Sequence, residues 1–317
     1  MGLSELLSQL LQTLVAVLLA PLMLGWVNQC RSWFQGRSGP GLLQPYRVLV
    51  KLFRKDAAIA HNASWLFRVT PYIVFSCMVL AGSIVPILAT DLPFSRAADV
   101  IALVGLFALA RVFMALAAMD IGTAFGSLGA RREMLIASLA EPALLMVFFT
   151  PALISQSTAL TTIVETLAHQ QIQLYPSMAF AAVAFVMVLL AENARIPVDN
   201  PATHLELTMV HEAMILEYSA RHLALMDWAH ALKLMVYSTI GIALFVPWGI
   251  AEAGNWSMVP LSLLALVVKL AIAGQGLALL ETVSAKMRIF RVPEFLGMAF
   301  MLAVLGLLTR FLLEMKA

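Results

Sequence analysis

The chain has 317 residues, 62% of them hydrophobic and only 12% charged, with a formal net charge of +2. Such a sequence has lipid rather than water as its main solvent, leaves no room for a soluble domain beside its apolar runs, and carries too little charge to point to nucleic acid. Its two cysteines, Cys30 and Cys77, are too few and too scattered for a disulfide framework, an iron–sulfur ligand set or a zinc knuckle.

A helix needs ~20 apolar residues to cross the ~30 Å hydrocarbon layer. Runs of that size, bounded by charge, Pro or Gly, recur at 6–27, 66–89, 97–119, 134–154, 176–191, 231–250, 260–280 and 296–313, the fifth being short. The predicted fold class is therefore all-α: an integral membrane protein with about eight transmembrane helices, forming one polytopic domain over 1–317. The first run lacks a basic segment before it and a cleavage site after it, and reads as a retained helix. In the loop that follows, 28–65, Gly36, Gly39, Pro40 and Gly41 form a turn. Beyond it Leu42, Val48, Leu49, Leu52 and Phe53 make an apolar stripe interrupted by Arg47, Lys51, Arg54 and Lys55. This predicts a short basic amphipathic helix, lying on anionic lipid or covering a cavity or a partner subunit.

Arg111 falls inside an apolar run and must face the bundle interior, where it can find a counter-charge or water. It lies nine residues before Asp120, and Glu141 lies eight residues after Glu133 on the next helix. Both therefore sit ~12–14 Å below the same boundary, which predicts an Arg111–Glu141 contact. The contact reads either as a structural ion pair or as part of a proton relay, in which Pro142 would open the local backbone and admit water. The 156–176 connection, with Glu165 and His169, shows no chemistry.

The loop at 192–230 is predicted to carry an acidic and histidine-bearing helix. Asn200 before Pro201 matches an N-cap, and Thr203 with Glu206 offers a capping box. A continuous helix puts Glu206 and Glu217 on one face and His204, His211 and His222 nearly opposite. Histidines seven residues apart lie ~10 Å apart along the axis, too far to share one ion, so a protonatable docking surface is the better reading than a metal site. Glu192 and Glu281 close the fifth and seventh spans. With Asp120, Glu133, Asp199 and Glu206 they are expected to form an acidic ring at the helix mouths, where clustered carboxylates could pass protons.

Lys269 lies about twelve residues from Glu281, which places it ~18 Å away, near the membrane midplane, as a group able to load and unload a proton. Alternate loops differ sharply in basic residues. One side collects 15 of the 20, among them Arg31, Arg37, Arg195, Lys233 and Lys286, against Arg96, Arg310 and Lys316 on the other. By the positive-inside bias the long loops are cytoplasmic and both termini lie outside. No repeat relates residues 1–155 to 156–317, which weighs against a repeat-built transporter. No dinucleotide fingerprint, phosphate loop or nucleophile elbow appears in an appropriate context, so the chain alone is expected to be non-catalytic.

Two loops carry a resemblance. GRSGPGLLQPYR followed by VKLFRK resembles, at Arg37, Gly39, Pro40, Gln44, Pro45, Lys51 and Leu52, the first loop of complex I subunit 1, also called the H subunit. AENARIPVD resembles the same family's later loop at Glu192, Arg195, Pro197 and Asp199, with Val198 where complex I usually has Phe; Glu206, Leu207, Glu217 and Tyr218 continue the likeness. This family is shared with the membrane subunits of energy-converting NiFe hydrogenases and formate hydrogenlyases. GPG with QPYR, LARVFMAL with MDIGTAFGSLGARRE, and LAEP resemble that hydrogenase branch, including hydrogenase-4 component C. Ala202 and His204 stand where complex I has further glutamates, and the longer first loop of complex I is absent; these departures weigh against quinone binding here.

The resemblance implies a membrane-anchoring and proton-coupling subunit of a hydrogenase-4 or formate-hydrogenlyase type complex in a bacterial or archaeal cytoplasmic (inner) membrane. Its partners would be hydrogenase-like large and small subunits, a ferredoxin-like iron–sulfur subunit, antiporter-like membrane subunits and lipid, with no nucleic acid. No cofactor is expected on this chain, the iron–sulfur clusters and the NiFe or related centre belonging to other subunits. The expected proton-coupling residues are Glu192, Asp199, Glu206, Glu217, Arg195, Glu141, Arg111, Lys269, Glu281, Asp120 and Glu133; the expected subunit-interface residues are Arg37, Gln44, Lys51, His204 and His211. Alternative readings are the quinone-chamber subunit of an NADH:quinone oxidoreductase-like complex, a structural scaffold, or a secondary transporter.

Overall fold

The computed structural model describes residues 3–90, 99–169, 175–199, 209–250 and 258–314. They form eleven α-helices: α1 (Leu3–Phe34), α2 (Gln44–Phe53), α3 (Trp65–Ile84), α4 (Val100–Asp120), α5 (Ala124–Ser155), α6 (Leu160–His169), α7 (Pro176–Glu192), α8 (His211–Ile215), α9 (Ala220–Phe245), α10 (Val259–Val283) and α11 (Val292–Thr309). Seven helices are long and apolar enough to cross a membrane, and the seventeen-residue α7 is a shorter apolar helix among them. The all-α, multi-pass reading therefore holds, and among the described residues there is no strand.

The helix starts follow from local chemistry. Ser64, Asp99 and Thr123 each sit in extended backbone and accept a hydrogen bond from a main-chain N–H of the first turn, capping α3, α4 and α5. Proline opens α2, α7, α10 and α11, where its missing N–H costs nothing. The helices α3, α4, α5, α7 and α9 pack around a shared interior, with α1 and α10 against α9 on one flank and α11 against α5 and α7 on the other. The core is rich in alanine, with Ala81, Ala117, Ala140, Ala143, Ala184 and Ala224 buried, which lets helices approach closely.

The short helix α2 lies across α1 and α9. It comes so close to α1 at Gly25 that a side chain there would overlap the Leu42 carbonyl. Gly25→Ala is accordingly expected to push the start of α2 away and cost about 1–3 kcal/mol, read as a lower melting temperature of the purified chain.

One expectation is corrected. The 192–230 loop does not hold a continuous helix: α8 ends at Ile215 and α9 begins at Ala220, so His222 and the remainder of that loop up to His230 belong to α9, a helix long and apolar enough to cross a membrane. Ala220 takes a left-handed conformation, φ 48°, which separates the two helices. His204 and Glu206 lie outside the described residues.

Candidate functional site

Arg111, on the middle of α4, is 3% exposed and faces three carboxylates. Its Nη1 donates to Glu141 Oε1 at 2.6 Å, its Nη2 donates to Glu192 Oε2, and its Nε lies 3.4 Å from Glu133 Oε1. Two of these acids come from α5 and one from the last residue of α7. A second cation, Lys233 of α9, reaches the same Glu192 Oε2 at 3.0 Å. Four helices thus meet on one buried charge cluster, and the predicted Arg111–Glu141 contact is present in it. Three carboxylates face two cations, so one proton neutralises the group. All but Glu141 are almost withdrawn from the surface, whereas the Glu141 side chain keeps 31% of its exposure.

Three residues past Glu192 the chain turns back at Arg195. Arg195 Nη1 donates to Glu281 Oε1 at 3.1 Å, and Arg31 Nη1 of α1 lies 3.5 Å from Glu281 Oε2. Asp199 closes this turn: Lys286 Nζ stands 3.4 Å from its Oδ1, and the His211 main-chain N–H donates to its Oδ2 at 3.4 Å. Glu281 and Asp199 are 3% and 2% exposed, so each buried acid is matched to a cation, as burial requires.

Between α1, α2, the 194–199 turn, α8 and α9 lies a cavity of about 380 Å³, lined in part by Arg31, Gln44, Arg195, Asp199, Asp227 and His230. A second, much smaller void of about 30 Å³ lies beside Arg111, Glu192 and Lys233. That is enough for a water molecule. His211 and His230 line both spaces. Their rings lie 4.7 Å apart, centroid to centroid. Burial, and behind it the charge of Lys233, pushes the His211 imidazole down to about 4. It is therefore neutral at neutral pH, with one ring nitrogen to accept a proton and one to donate. Glu192 Oε1 and Arg195 Nη2 are buried without a hydrogen-bond partner among the described residues, and water in these spaces would satisfy them.

Other predicted residues fall differently. The acidic ring is replaced by acid–base pairs, because at this depth a carboxylate is stabilised by a cation rather than by its own kind. Asp120 serves locally, its Oδ2 accepting the Ser64 main-chain N–H at 2.9 Å at the start of α3. Glu217 is exposed on the loop before α9. Lys269 is outside the cluster: its ammonium donates to the carbonyls of Val246, at 2.7 Å, and Trp248. It thus satisfies main-chain oxygens just past the end of α9, where a cation also suits the helix dipole. Arg37 and Lys51 are exposed, and Gln44 lines the cavity. His211 lines the cavity beside His230, and His222 is buried edge-on against Tyr72, ring centroids 5.9 Å apart.

The residues that sequence reasoning did not place in the site are Arg31, Asp227, His230, Lys233 and Lys286. Asp227, His230 and Lys233 recur every third residue along α9. That polar stripe inside a spanning helix is the signal that would have found them.

A sequence profile of the family described as NADH dehydrogenase matches residues 8–311. Formate hydrogenlyase subunit 4 of Escherichia coli (strain K12) is 31% identical over 297 residues, 94% of this chain and 96% of that protein. Hydrogenase-4 component C of the same organism is 32% identical over 298 residues, 94% of this chain and 93% of its own length. An NADH-quinone oxidoreductase subunit of Phocaeicola vulgatus is 25% identical over 251 residues, 74% of this chain and 67% of that protein. Among solved structures, a chain of the membrane-bound sulfane sulfur reductase, an archaeal respiratory membrane complex, shares the fold with a TM-score of 0.80 at 18% identity, covering 96% of this chain and 99% of its own. A match along almost the whole length, together with two relatives above 30% identity that are covered nearly end to end, means that this multi-pass membrane protein belongs to the NADH dehydrogenase subunit 1 family.

Proposed function

We propose that this chain is the membrane-anchoring, proton-coupling subunit of a formate-hydrogenlyase or hydrogenase-4 type complex. The branch is favoured by the two relatives above 30% identity, whose alignments cover nearly all of both chains. In this reading hydrogenase-like large and small subunits and a ferredoxin-like iron–sulfur subunit sit over the turn at Arg37 and over α8, on the cytoplasmic side, and leave the outward face of α2 to the membrane. Antiporter-like subunits lie alongside in the membrane. The iron–sulfur and NiFe chemistry belongs to those partners.

One observation carries the proposal: His211 and His230 stand between an aqueous-sized cavity and the Arg111 cluster. A proton enters the cavity, passes by the two imidazoles to the group that has one carboxylate in excess, and leaves by Glu141, the member with a partly open side chain. Arg195, Asp199 and Glu281 fix the turn that holds Glu192 at its post. The test is Glu141→Gln in the assembled complex. Ion translocation per electron pair is expected to fall on the order of tenfold while the peripheral redox reaction persists. A scaffold role predicts loss of assembly instead, and unchanged coupling would sink the reading.

The 380 Å³ cavity favours a second reading, because that volume lies within the range of small-molecule sites. If it is a quinone chamber, a photoreactive quinone analogue will label residues of α1, α2 or α9; labelling confined to lipid-facing positions excludes it.

A further inference from the structure

We propose that the outward face of α2 binds the headgroups of anionic phospholipid in the leaflet at that end of the bundle. Arg47, Lys51, Arg54 and Lys55 are all exposed, and none of them takes part in the ion pairs found among the described residues. Leu49 is the buried residue of α2, so the basic side points away from the protein. Val50, at the flank of that side, remains 50% exposed, whereas Phe53 turns toward the protein and meets Trp228 of α9 edge-on, ring centroids 6.3 Å apart. A helix with its cations on the free side and an apolar flank beneath them suits the boundary between headgroups and acyl chains.

The depth of α2 agrees with that boundary. Leu42, at its start, lies against Gly25 of α1, two residues before the apolar run of α1 ends at Val27. Tyr46 reaches further down, its hydroxyl donating to the Leu18 carbonyl. Leu18 is 50% exposed and lies nine residues, ~14 Å, below Val27, so the surface of α1 from Leu18 to Val27 spans the acyl-chain depth of the leaflet at that end. A phospholipid of that leaflet carries its phosphate at the level where α2 begins, and four cations meet it there. Charge complementarity therefore selects an anionic headgroup over a zwitterionic one.

The intact complex, reconstituted in nanodiscs of phosphatidylcholine with a minor share of phosphatidylglycerol and then partly delipidated, provides the test. Retained phosphatidylglycerol is counted by native mass spectrometry. Replacing Arg47, Lys51, Arg54 and Lys55 together by Gln is expected to lower its enrichment on the order of tenfold. Replacing the exposed Arg131, Arg221, Arg288 and Arg291 by Gln, the same loss of charge, is expected to leave it unchanged. Arg47→Lys with Arg54→Lys keeps it. Equal retention in the first variant, or equal loss in both, overturns the proposal. A photo-crosslinking residue at position 54 of the otherwise unaltered complex decides independently of variant stability: phospholipid adducts support the site, and adducts confined to a protein subunit overturn it.

Discussion

Arg111→Met will destabilise the chain by about 3–5 kcal/mol, because it leaves three acids in the interior with Lys233 as their remaining cation. The guanidinium is the only described group that touches acids of both α5 and α7, and its fork-shaped donors reach three separate oxygens that a single point charge cannot serve at once. Methionine keeps much of the volume and is at home in an apolar interior, so the loss measures charge and not a cavity. Arg111→Lys should recover part of the stability and less of the assembly, since it keeps the charge without the geometry. Thermal unfolding in detergent, followed by light scattering and by recovery of monodisperse chain, is the measurement. A melting temperature within a degree of the parent would show that the acids are protonated and need no cation.

Glu192→Gln is expected to have the largest effect on coupling. Its Oε2 is shared by Arg111 and Lys233, so within the cluster it is the acid at which the two cations compete for one oxygen. Glutamine preserves the shape and can still accept a hydrogen bond, but it removes the carboxylate excess: Glu133 and Glu141 then balance Arg111 and Lys233, and the group no longer holds an odd charge for a proton to neutralise. Ion translocation should fall by roughly two orders of magnitude, the scale on which a positioned acid or base acts in proton transfer. Complex assembly should be retained, because the balanced group is no costlier to bury. The peripheral redox rate, the ion stoichiometry and the amount of assembled complex need to be measured on one preparation. Full translocation in the variant would show that protons bypass this cluster.

The Arg111–Glu141 contact was legible because depth along a regular helix can be counted from the charged residues at its end, and neighbouring helices preserve that count. Glu192 as a third partner was not, since a charge closing an apolar run reads as a helix end in water. Lys233 and His230 were hidden by an averaging effect. Apolar character dominates only from Ala231 onward, whereas α9 starts at Ala220, so residues deep along the helix looked like its boundary. The likeness of the two loops to the family pointed to Arg195 and Asp199, but periodicity could not reveal that their partners are Glu281 and Lys286, 86 and 87 residues away. Lys269 shows the opposite error. A lone cation in an apolar run invites a search for an acid, yet main-chain oxygens answered its need, and no residue type announces those.

The seventeen residues of α7 measure ~26 Å, less than the ~30 Å of a typical hydrocarbon layer. A span that falls short of its bilayer makes the membrane pinch inward around it, or leaves one of its ends below the headgroups. Glu192 closes α7 and is 5% exposed, so a shortfall at that end adds to the depth at which the bundle already buries the carboxylate. Lipids with shorter acyl chains would bring water closer to that end, and thicker membranes would bury it further. On the proposed coupling role, proton exchange at Glu192 should therefore follow the thickness of the membrane in which the complex is placed.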